Sequence, residues 1–267
     1  MQYQLKMLLP RIHRILMRNL AKSPLGAQRQ CVICNSRVQR FMPYRNGWKD
    51  VPPLIRELDV IGSDVAAFYC PKCKCHDRER HLFLYLTASQ FLDEIPGSTI
   101  LHIAPEIHIA KLLASKNPAT YIQGDLHPIN DRIQKVNIEQ TNFPNGYFDL
   151  ILANHILEHV NNDTLALKEV HRILKPGGYA ILQTPYSAKL TAVFSDIGID
   201  TDSARLQAYG QEDHVRLYGA NLAEFITSFG FQPLLSSHNQ LLPHVDPKRT
   251  GTNIKEPFFL FRKPLAD

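Results

Sequence analysis

Two Cys-x-x-Cys pairs are the clearest candidates for chemistry in this sequence of 267 residues. Cys31 and Cys34 form the first pair, and Cys70 and Cys73 form the second. Four thiolates complete a tetrahedral shell around Zn²⁺ and leave no position for a substrate, so the pattern predicts a structural zinc site. Free or redox-active cysteines are the alternative, although one reactive pair would leave the other unexplained. Cys75 is predicted to be a bystander.

A second set of polar residues stands just after short apolar segments of the sequence. Asp125 follows the segment 120–123, and Asn154 and His155 follow the segment 150–153. Nucleotide-binding α/β folds place a carboxylate at the end of their second strand, where it accepts hydrogen bonds from the ribose hydroxyls. Asp125 is therefore a candidate ligand of a nucleoside.

A third set lies in the segment 185–218, which is long, polar and rich in aspartate. Such a segment predicts a lid over a substrate site. His214 is our candidate general base, with Asp213 or Glu212 orienting it and Arg216 clamping an anion. The alternative is a solvated loop whose histidine caps the next helix.

Short apolar strands alternate with helices around these residues, and this alternation predicts a mostly parallel, doubly wound α/β sheet. We predict strands over 99–104, 120–123, 135–138, 148–154 and 179–184, with helices over 107–116, 163–174 and 222–229. Segments 231–236 and 257–261 follow the last helix with no helix between them, so we expect an antiparallel edge. A continuous connecting helix is predicted over 77–94.

The order of motifs from residue 143 onward resembles the class I S-adenosylmethionine-dependent methyltransferases. FPNGYFDLILANHILEHV is followed by LKEVHRILKPGGYAILQTP, and the Lys-Pro-Gly-Gly turn is the most specific part. The resemblance covers about residues 97–265 and implies a seven-stranded sheet with an antiparallel last strand, methyl transfer, and S-adenosylmethionine as cofactor. Together with the cysteine module, the chain is similar to a bacterial subgroup of zinc-ribbon, type 11-like methyltransferases.

The loop after the first strand departs from that family. Where the family has an acid and three glycines, this chain has His102, Ala104, Glu106 and His108. Because a side chain keeps the backbone away from a ligand, we expect Glu106 to contact the methionine ammonium instead. The resemblance predicts these cofactor-binding residues: His102, Ala104, Pro105, Glu106, Asp125, Leu126, Ile138, Asn154 and His155.

Positive charge is concentrated at the start of the chain. Residues 1–49 carry ten Lys and Arg and no acid, whereas the rest carry 20 basic and 25 acidic residues, giving +5 overall. The spacing over 10–22 predicts a basic amphipathic helix with a stripe of Arg11, Arg14, Arg18 and Lys22. Such a helix packs on its own protein, docks on a membrane surface or polyanion, or serves as a transit peptide.

Composition excludes disordered and fibrous classes, because 44% of the residues are hydrophobic and 21% are charged. No apolar run reaches the ~18 residues of a membrane-spanning helix. Five cysteines are too few for a disulfide scaffold, so a reducing, cytoplasmic setting is predicted. The predicted units are a basic helix (1–26), a zinc-ribbon-like module (27–76), a connecting helix (77–96) and a methyltransferase domain (97–267).

Three functions remain open from the sequence. The leading hypothesis is a methyltransferase that acts on a small-molecule, sugar or glycan-linked acceptor, with the zinc module covering the site. The second is an RNA methyltransferase whose zinc module and basic helix bind phosphates. Against it, the place after the fourth strand reads Asn154-His155-Ile156 and lacks the Asn/Asp-Pro-Pro-aromatic motif of many base-methylating enzymes. The third is a non-catalytic binding protein on a degenerate methyltransferase fold.

Overall fold

The computed structural model describes residues 15–265, and its N-terminal part is a small module around the cysteines. The antiparallel strands β1 (Arg29–Gln30) and β2 (Arg37–Val38) form a short hairpin that carries the first cysteine pair between them. Helix α1 (Pro53–Glu57) lies in the long connection to the second pair. Val38 and Phe41 pack with the thiols in a core of their own, so the module is folded around the cysteine cluster.

Residues 15–21 are helical, and Ile15, Leu16 and Leu20 face solvent, whereas Met17 is half-buried and Ala21 is buried. The exposed fractions of Ile15, Leu16 and Leu20 are 56%, 56% and 65%, whereas the carbonyl of Ala21 accepts a hydrogen bond from the backbone N–H of Gln39, so the described residues pack on the protein only in part. Arg11 and Arg14 of the predicted stripe lie outside the described residues. Contact with a membrane surface or polyanion stays a prediction.

Helix α2 (Asp77–Ala88) connects the module to the larger domain. Its Leu82, Tyr85 and Leu86 are buried on one face, as the helical spacing predicts. The predicted continuous helix over 77–94 is wrong in its second half. The helix is interrupted because Gln90 adopts a left-handed conformation at φ 58°, after which a separate 3-10 turn (Phe91–Glu94) begins.

Seven strands form the main sheet within the described range, in the order β5-β4-β3-β6-β7-β9-β8. The pairings among β3 to β7 are parallel, whereas β9 is antiparallel to both of its neighbours. The predicted doubly wound sheet with an antiparallel last strand is therefore confirmed. The strands are β3 (Thr99–Ile103), β4 (Thr120–Asp125), β5 (Gln134–Lys135), β6 (Phe148–Ala153), β7 (Leu174–Ile181), β8 (Gln232–Pro233) and β9 (Leu260–Arg262).

Helices cover both faces of this sheet. Helices α2 and α3 (Ile107–Ala114) contribute to the core on one face, and α4 (Asp163–Ile173) and α6 (Leu222–Thr227) contribute to the core on the other. Between them on the chain, α5 (Asp202–Tyr209) lies in the predicted lid segment. Two short helices, α7 (His238–Leu241) and α8 (Pro247–Thr250), lie between β8 and β9. The expectation that no helix separates segments 231–236 and 257–261 is therefore wrong; each helix is a single turn capped at its start, by Ser237 or Asp246, and is too short to show a helical apolar pattern.

The Lys-Pro-Gly-Gly sequence lies inside β7, which begins earlier than the predicted strand over 179–184. Gly177 adopts φ 80°, and the register between β6 and β7 shifts over this stretch. A Cβ on Gly178 would come within 3.0 Å of two backbone oxygens. The glycines therefore permit a bulge in which the chain passes close to β6.

Arg80 on α2 joins the cysteine module to the C-terminal part of the chain. Its side chain is fully buried, and its Cζ lies 3.9 Å from the centre of the Phe41 ring. All five guanidinium N–H groups can donate to backbone carbonyls, which balances the burial of the charge. The acceptors are the carbonyls of Ala67, Phe68, Cys75, Thr250 and Gly251.

Among residues 15–265, no helix combines the length and the apolar character that crossing a bilayer requires.

Candidate functional site

The four predicted zinc ligands come together in the structure. The Sγ atoms of Cys31, Cys34, Cys70 and Cys73 all lie within 4.8 Å of one another, and these cysteines are free. The thiols of Cys31 and Cys70 are buried, and the set of donors matches the tetrahedral shell of a structural zinc ion. These residues therefore fit a Zn²⁺ ion and could hold it.

Cys75 is closer to this cluster than a bystander would be. Its Sγ lies 3.4 Å from that of Cys31, whereas the Sγ of Cys73 lies 3.8 Å from the same atom. Cys75 is fully buried, and its Sγ accepts a contact from Nη1 of Arg80 at 3.9 Å. A fifth thiol therefore borders the predicted site.

The carboxyl ends of β3, β4 and β6 meet at one edge of the sheet because these strands are parallel and in register. Ile103 pairs with Gly124 on one side and with Ala153 on the other. Asp125 ends β4 at this edge, half-buried, and its Oδ1 accepts a hydrogen bond from the backbone N–H of His127. The topology therefore places Asp125, the residue predicted to bind a nucleoside, beside the carboxyl ends of β3 and β6.

Glu106 is the centre of a hydrogen-bonded group at this edge. Its Oε2 lies 3.0 Å from Nε2 of His102, and its Oε1 accepts a hydrogen bond of 2.5 Å from Nδ2 of Asn154. Nδ1 of His102 is 2.8 Å from the hydroxyl of Tyr121. Burial raises the pKa of Glu106, but the hydrogen bond from His102 and nearby positive charge, including that of Arg78, together outweigh burial, and the pKa falls below its usual value. The carboxylate is thus held charged where a ligand ammonium is expected.

The backbone at two strand ends is strained in the same way. Ala104 after β3 has φ 46° and His155 after β6 has φ 56°, and both values belong to the left-handed region that favours glycine. Strain of this kind clusters at functional sites. The family's glycine at position 104 is replaced, yet the backbone keeps the conformation that a glycine would adopt.

The other predicted cofactor residues lie at varied depths around this edge. Pro105 is half-buried in the loop between β3 and α3. Leu126 is 48% exposed after β4, so its side chain is accessible to a ligand, whereas Ile138 is buried in the domain core. Ile138 therefore supports the sheet behind the site.

A cavity of about 510 Å³ lies between the N-terminal module, the lid segment and the end of β6. Its size suits a small molecule, since ligand pockets are typically about 300–1,000 Å³. His155 and Pro185 line its floor, and His214 lines it from the lid segment. Much of its wall is aromatic, with Tyr44, Trp48, Phe68, Tyr69 and Tyr209.

Arg78 is a cavity residue that sequence reasoning missed. It lies on α2, and its Nε is buried without a hydrogen-bond partner in the part of the chain that the structure describes. Its charge lowers the pKa of Glu106 and opposes protonation of His155, so it is near both. An unpaired guanidinium that faces a cavity is a ready ligand for an anionic group. The only signal in the sequence was its place in the first turn of the predicted connecting helix.

A chain of buried ionisable groups continues from the end of β6. His155 lies between two carboxylates, with Nδ1 3.2 Å from Oε1 of Glu158 and Nε2 3.6 Å from Oε1 of Glu256. Burial lowers the pKa of His155, but the hydrogen bond to Glu158 and the close contact with the carboxylate of Glu256 together outweigh burial and raise the pKa to about 9. The pKa of Glu158 is lowered to about 2, because contact with His155 outweighs the effect of burial. His155 is therefore a buried cation near neutral pH.

The lid segment is arranged differently from the prediction. Asp213 contacts His159 through its Oδ2 at 3.3 Å, so the expected pairing of Asp213 with His214 is not formed. Nδ1 of His214 is 3.1 Å from the carbonyl of Tyr209 instead. Glu212, the other proposed orienter, forms an ion pair with Arg45 at 2.8 Å.

Arg216 does not face the cavity as an anion clamp. Its guanidinium is buried and donates to the backbone carbonyls of Leu157, Val160 and Asn161. Its Nε lies 3.3 Å from Oδ2 of Asp163. The prediction for Arg216 is corrected, because these contacts use the guanidinium to anchor the segment after β6.

The strand order and the carboxylate at the end of β4 define a doubly wound α/β domain of the nucleotide-binding type. Residues 101–182 match the family model of a methyltransferase domain. A ubiquinone/menaquinone biosynthesis C-methyltransferase from Coxiella burnetii is 35% identical over 68 residues. That match covers 24% of this chain and 27% of the relative, so the similarity spans about a quarter of its length.

Two solved structures are similar in overall fold. An S-adenosylmethionine-dependent methyltransferase from Mesorhizobium loti is 14% identical, covers 66% of this chain and 95% of its own, and has a TM-score of 0.47. The YcgJ protein from Bacillus subtilis is 15% identical, covers 70% of this chain and 100% of its own, and has a TM-score of 0.45.

Proposed function

We propose that this protein is an S-adenosylmethionine-dependent methyltransferase. The observation that carries the proposal is the match of residues 101–182 to a methyltransferase domain, since this range contains β3, β4 and β6 with their polar ends. Asp125 would bind the ribose, and Glu106 would bind the methionine ammonium. S-adenosylmethionine would supply an electrophilic methyl group on a sulfonium.

Arg78 extends this proposal to the carboxylate of the methionine. The Nε of Arg78 has no partner among the described residues, and its charge lowers the pKa of Glu106. The cation of Arg78 would bind the carboxylate of the methionine, and the anion of Glu106 would bind its ammonium group. Ala104 and His155 would hold the backbone close to the cofactor. These residues bind and orient the methyl donor, and orientation is the main requirement for in-line methyl transfer.

For the acceptor we propose a small molecule, with a sugar or a glycan-linked group as the favoured class. The cavity of about 510 Å³ is walled on three sides by different parts of the chain, which suits a small group better than a duplex. Its aromatic wall offers flat surfaces for stacking, and Asp50, Asp59 and Gln211 add polar partners. The N-terminal module would thus help to cover the acceptor, as the sequence suggested.

We further propose that the four cysteines hold a structural Zn²⁺ ion. Their thiols supply all four positions of a tetrahedral shell, and the module around them has only a small apolar core. Metal binding would therefore contribute a large part of the module's folding free energy.

Calorimetry with S-adenosylmethionine tests the proposed function. We expect the wild-type protein to bind the cofactor, Asp125→Ala and Arg78→Gln to weaken binding, and the exposed Asp131→Ala to serve as a matched control without effect. Absence of binding by the wild-type, zinc-replete protein would support the non-catalytic alternative instead. Transfer of labelled methyl groups to fractions of a cell extract would then separate small-molecule acceptors from RNA.

A further inference from the structure

A compact group of three side chains beside the cavity has the composition of a metal site. Glu158, His159 and His214 each direct one ligand atom into a space where these atoms lie within 4.8 Å of one another. Two imidazoles and one carboxylate are the protein ligands of many catalytic zinc and non-haem iron sites. None of these atoms belongs to the cysteine cluster.

The hydrogen bonds of the two imidazoles fix the state that a metal ligand requires. Nδ1 of His214 faces the carbonyl of Tyr209 at 3.1 Å, and Nδ1 of His159 faces the carbonyl of Asp213 at 3.2 Å. A carbonyl only accepts, so both Nδ1 atoms carry a proton, and in the neutral form of each imidazole Nε2 presents the lone pair. Histidines that bind metals are oriented by such contacts of the other ring nitrogen.

Two buried polar atoms in this group have no protein partner among residues 15–265. They are Nε2 of His214 and Oε2 of Glu158, whereas Oε1 of Glu158 contacts His155. Buried polar atoms are nearly always hydrogen-bonded, so two orphans in one cluster indicate a missing ligand. A bound cation would satisfy both at once.

We propose that Glu158, His159 and His214 bind a divalent transition-metal ion, such as Zn²⁺ or Fe²⁺, separate from the zinc of the cysteine module. Donor atoms that share one ion with bonds of about 2.1 Å lie at most about 4.2 Å apart, so binding requires only a small inward rotation of the side chains. Three protein ligands leave at least one position open. Since His214 lines the cavity, an oxygen of a molecule bound there can complete the shell.

This proposal changes the role predicted for His214. An imidazole whose Nε2 lone pair binds a cation is a ligand and is not a free general base. Asp213 becomes a positioning residue, because its carboxylate and its carbonyl both contact Nδ1 of His159. The group stands at the border between the methyltransferase domain and the lid segment, which supplies His214.

Zinc content and zinc affinity test the proposal without any assay of methyl transfer. We expect the zinc-replete wild-type protein to retain about two ions per chain after dialysis, and the His159→Ala/His214→Ala double variant to retain about one. Cys73→Ser should lose the other ion, and the exposed His244→Ala should retain both. Retention of about one ion by the wild type, or of two by the histidine double variant, would overturn the proposal.

A milder substitution guards against loss of folding. The Asp213 side chain is 70% exposed, so Asp213→Asn is expected to fold normally while weakening zinc binding at this site about tenfold, as loss of a contact behind a ligand does. Calorimetry with Zn²⁺ alone on protein already loaded at the cysteines measures this change. Unchanged affinity in a folded Asp213→Asn protein would contradict the arrangement. Because no cofactor is used, failure of the metal site is distinguishable from failure of the proposed methyl transfer.

Discussion

The side-chain amide of Asn154 donates a hydrogen bond of 2.5 Å to the carboxylate of Glu106, and this contact joins the loop after β3 to the end of β6. The contact fixes the orientation of the carboxylate in a domain that lacks the usual glycine-rich loop. His102 fixes the second carboxylate oxygen from below. The resemblance places the acid of class I methyltransferases at position 102, where this chain has His102. The carboxylate of Glu106, four residues later, is held next to that histidine.

Substitution of Glu106 tests whether its carboxylate binds the cofactor in place of the acid usual at position 102. We expect Glu106→Gln to weaken binding of S-adenosylmethionine about 10–100-fold, since a hydrogen bond to a charged group contributes about 1.5–3 kcal/mol. Calorimetry near neutral pH measures the affinity. Glu94→Gln, which removes an exposed acid from the 3-10 turn before β3, is the matched control. Equal affinity of the Glu106→Gln and wild-type proteins would rule out a direct contact with the cofactor.

The left-handed backbone of Ala104 predicts a stabilising substitution. At φ 46° the Cβ of alanine is strained, so Ala104→Gly is expected to raise the free energy of unfolding by about 1 kcal/mol. Urea titration measures it. Ala110→Gly inside α3 should show the opposite sign, with a loss of about 1 kcal/mol, because that position is helical. A loss of stability in Ala104→Gly would show that the methyl group contributes more by packing than it costs in strain.

Glu169 predicts a dependence of stability on pH. Burial raises its pKa, but hydrogen bonds from Arg172 and Thr141 outweigh burial and lower the pKa from 4.5 to about 2. A group with a depressed folded-state pKa stabilises the protein above its unfolded-state value and loses that contribution as the pH falls toward 2. The stability difference between wild type and Glu169→Gln should therefore be full near pH 6 and shrink below about pH 4.5.

Urea titrations of both proteins at several pH values between about 2 and 6 measure this difference. Glu224→Gln is a suitable control, since Glu224 lies in the first turn of α6 and forms no ion pair among the described residues. A difference that stays constant down to the lowest pH would contradict the role given to the contacts of Glu169.

The fifth thiol can be distinguished from the zinc ligands. We expect Cys73→Ser to lower the zinc content by about one ion per chain, because a tetrahedral thiolate site loses most of its affinity with one ligand. Cys75→Ser should leave the zinc content unchanged, although it removes the contact of 3.4 Å with Cys31. Metal analysis after dialysis measures both. The reverse outcome would assign Cys75 as the fourth ligand in place of Cys73.

Local patterns were enough to predict the sheet and its edge. Alternating apolar strands and helices predicted the doubly wound order. The antiparallel edge was predicted from the expected lack of a helix between 231–236 and 257–261, and that reason was wrong, because α7 and α8 lie there. The spacing of the two Cys-x-x-Cys pairs also predicted correctly that the four thiols lie together. These features depend on residues that are near one another in sequence or on the repeating β-α pattern.

Contacts between distant segments could not be predicted in this way. Asp213 stands next to His214 in sequence, yet it pairs with His159 because the lid segment folds back over the end of β6. Arg78 enters the cavity from a helix that the sequence marked only as a connection. Arg216 is saturated by carbonyls of a loop more than 50 residues away. Each outcome depends on how segments pack, and spacing along the chain carries no information about that.

The five carbonyls around Arg80 couple the folding of the cysteine module to the stability of the larger domain. Three of them, on Ala67, Phe68 and Cys75, belong to the cysteine module, and two, on Thr250 and Gly251, belong to the end of α8. If the module unfolded without its metal, a buried guanidinium would lose most of its acceptors, and the larger domain would bear that electrostatic cost. Occupancy of the proposed zinc site would thereby influence how much of the larger domain is folded, although none of the four cysteines lines the cavity.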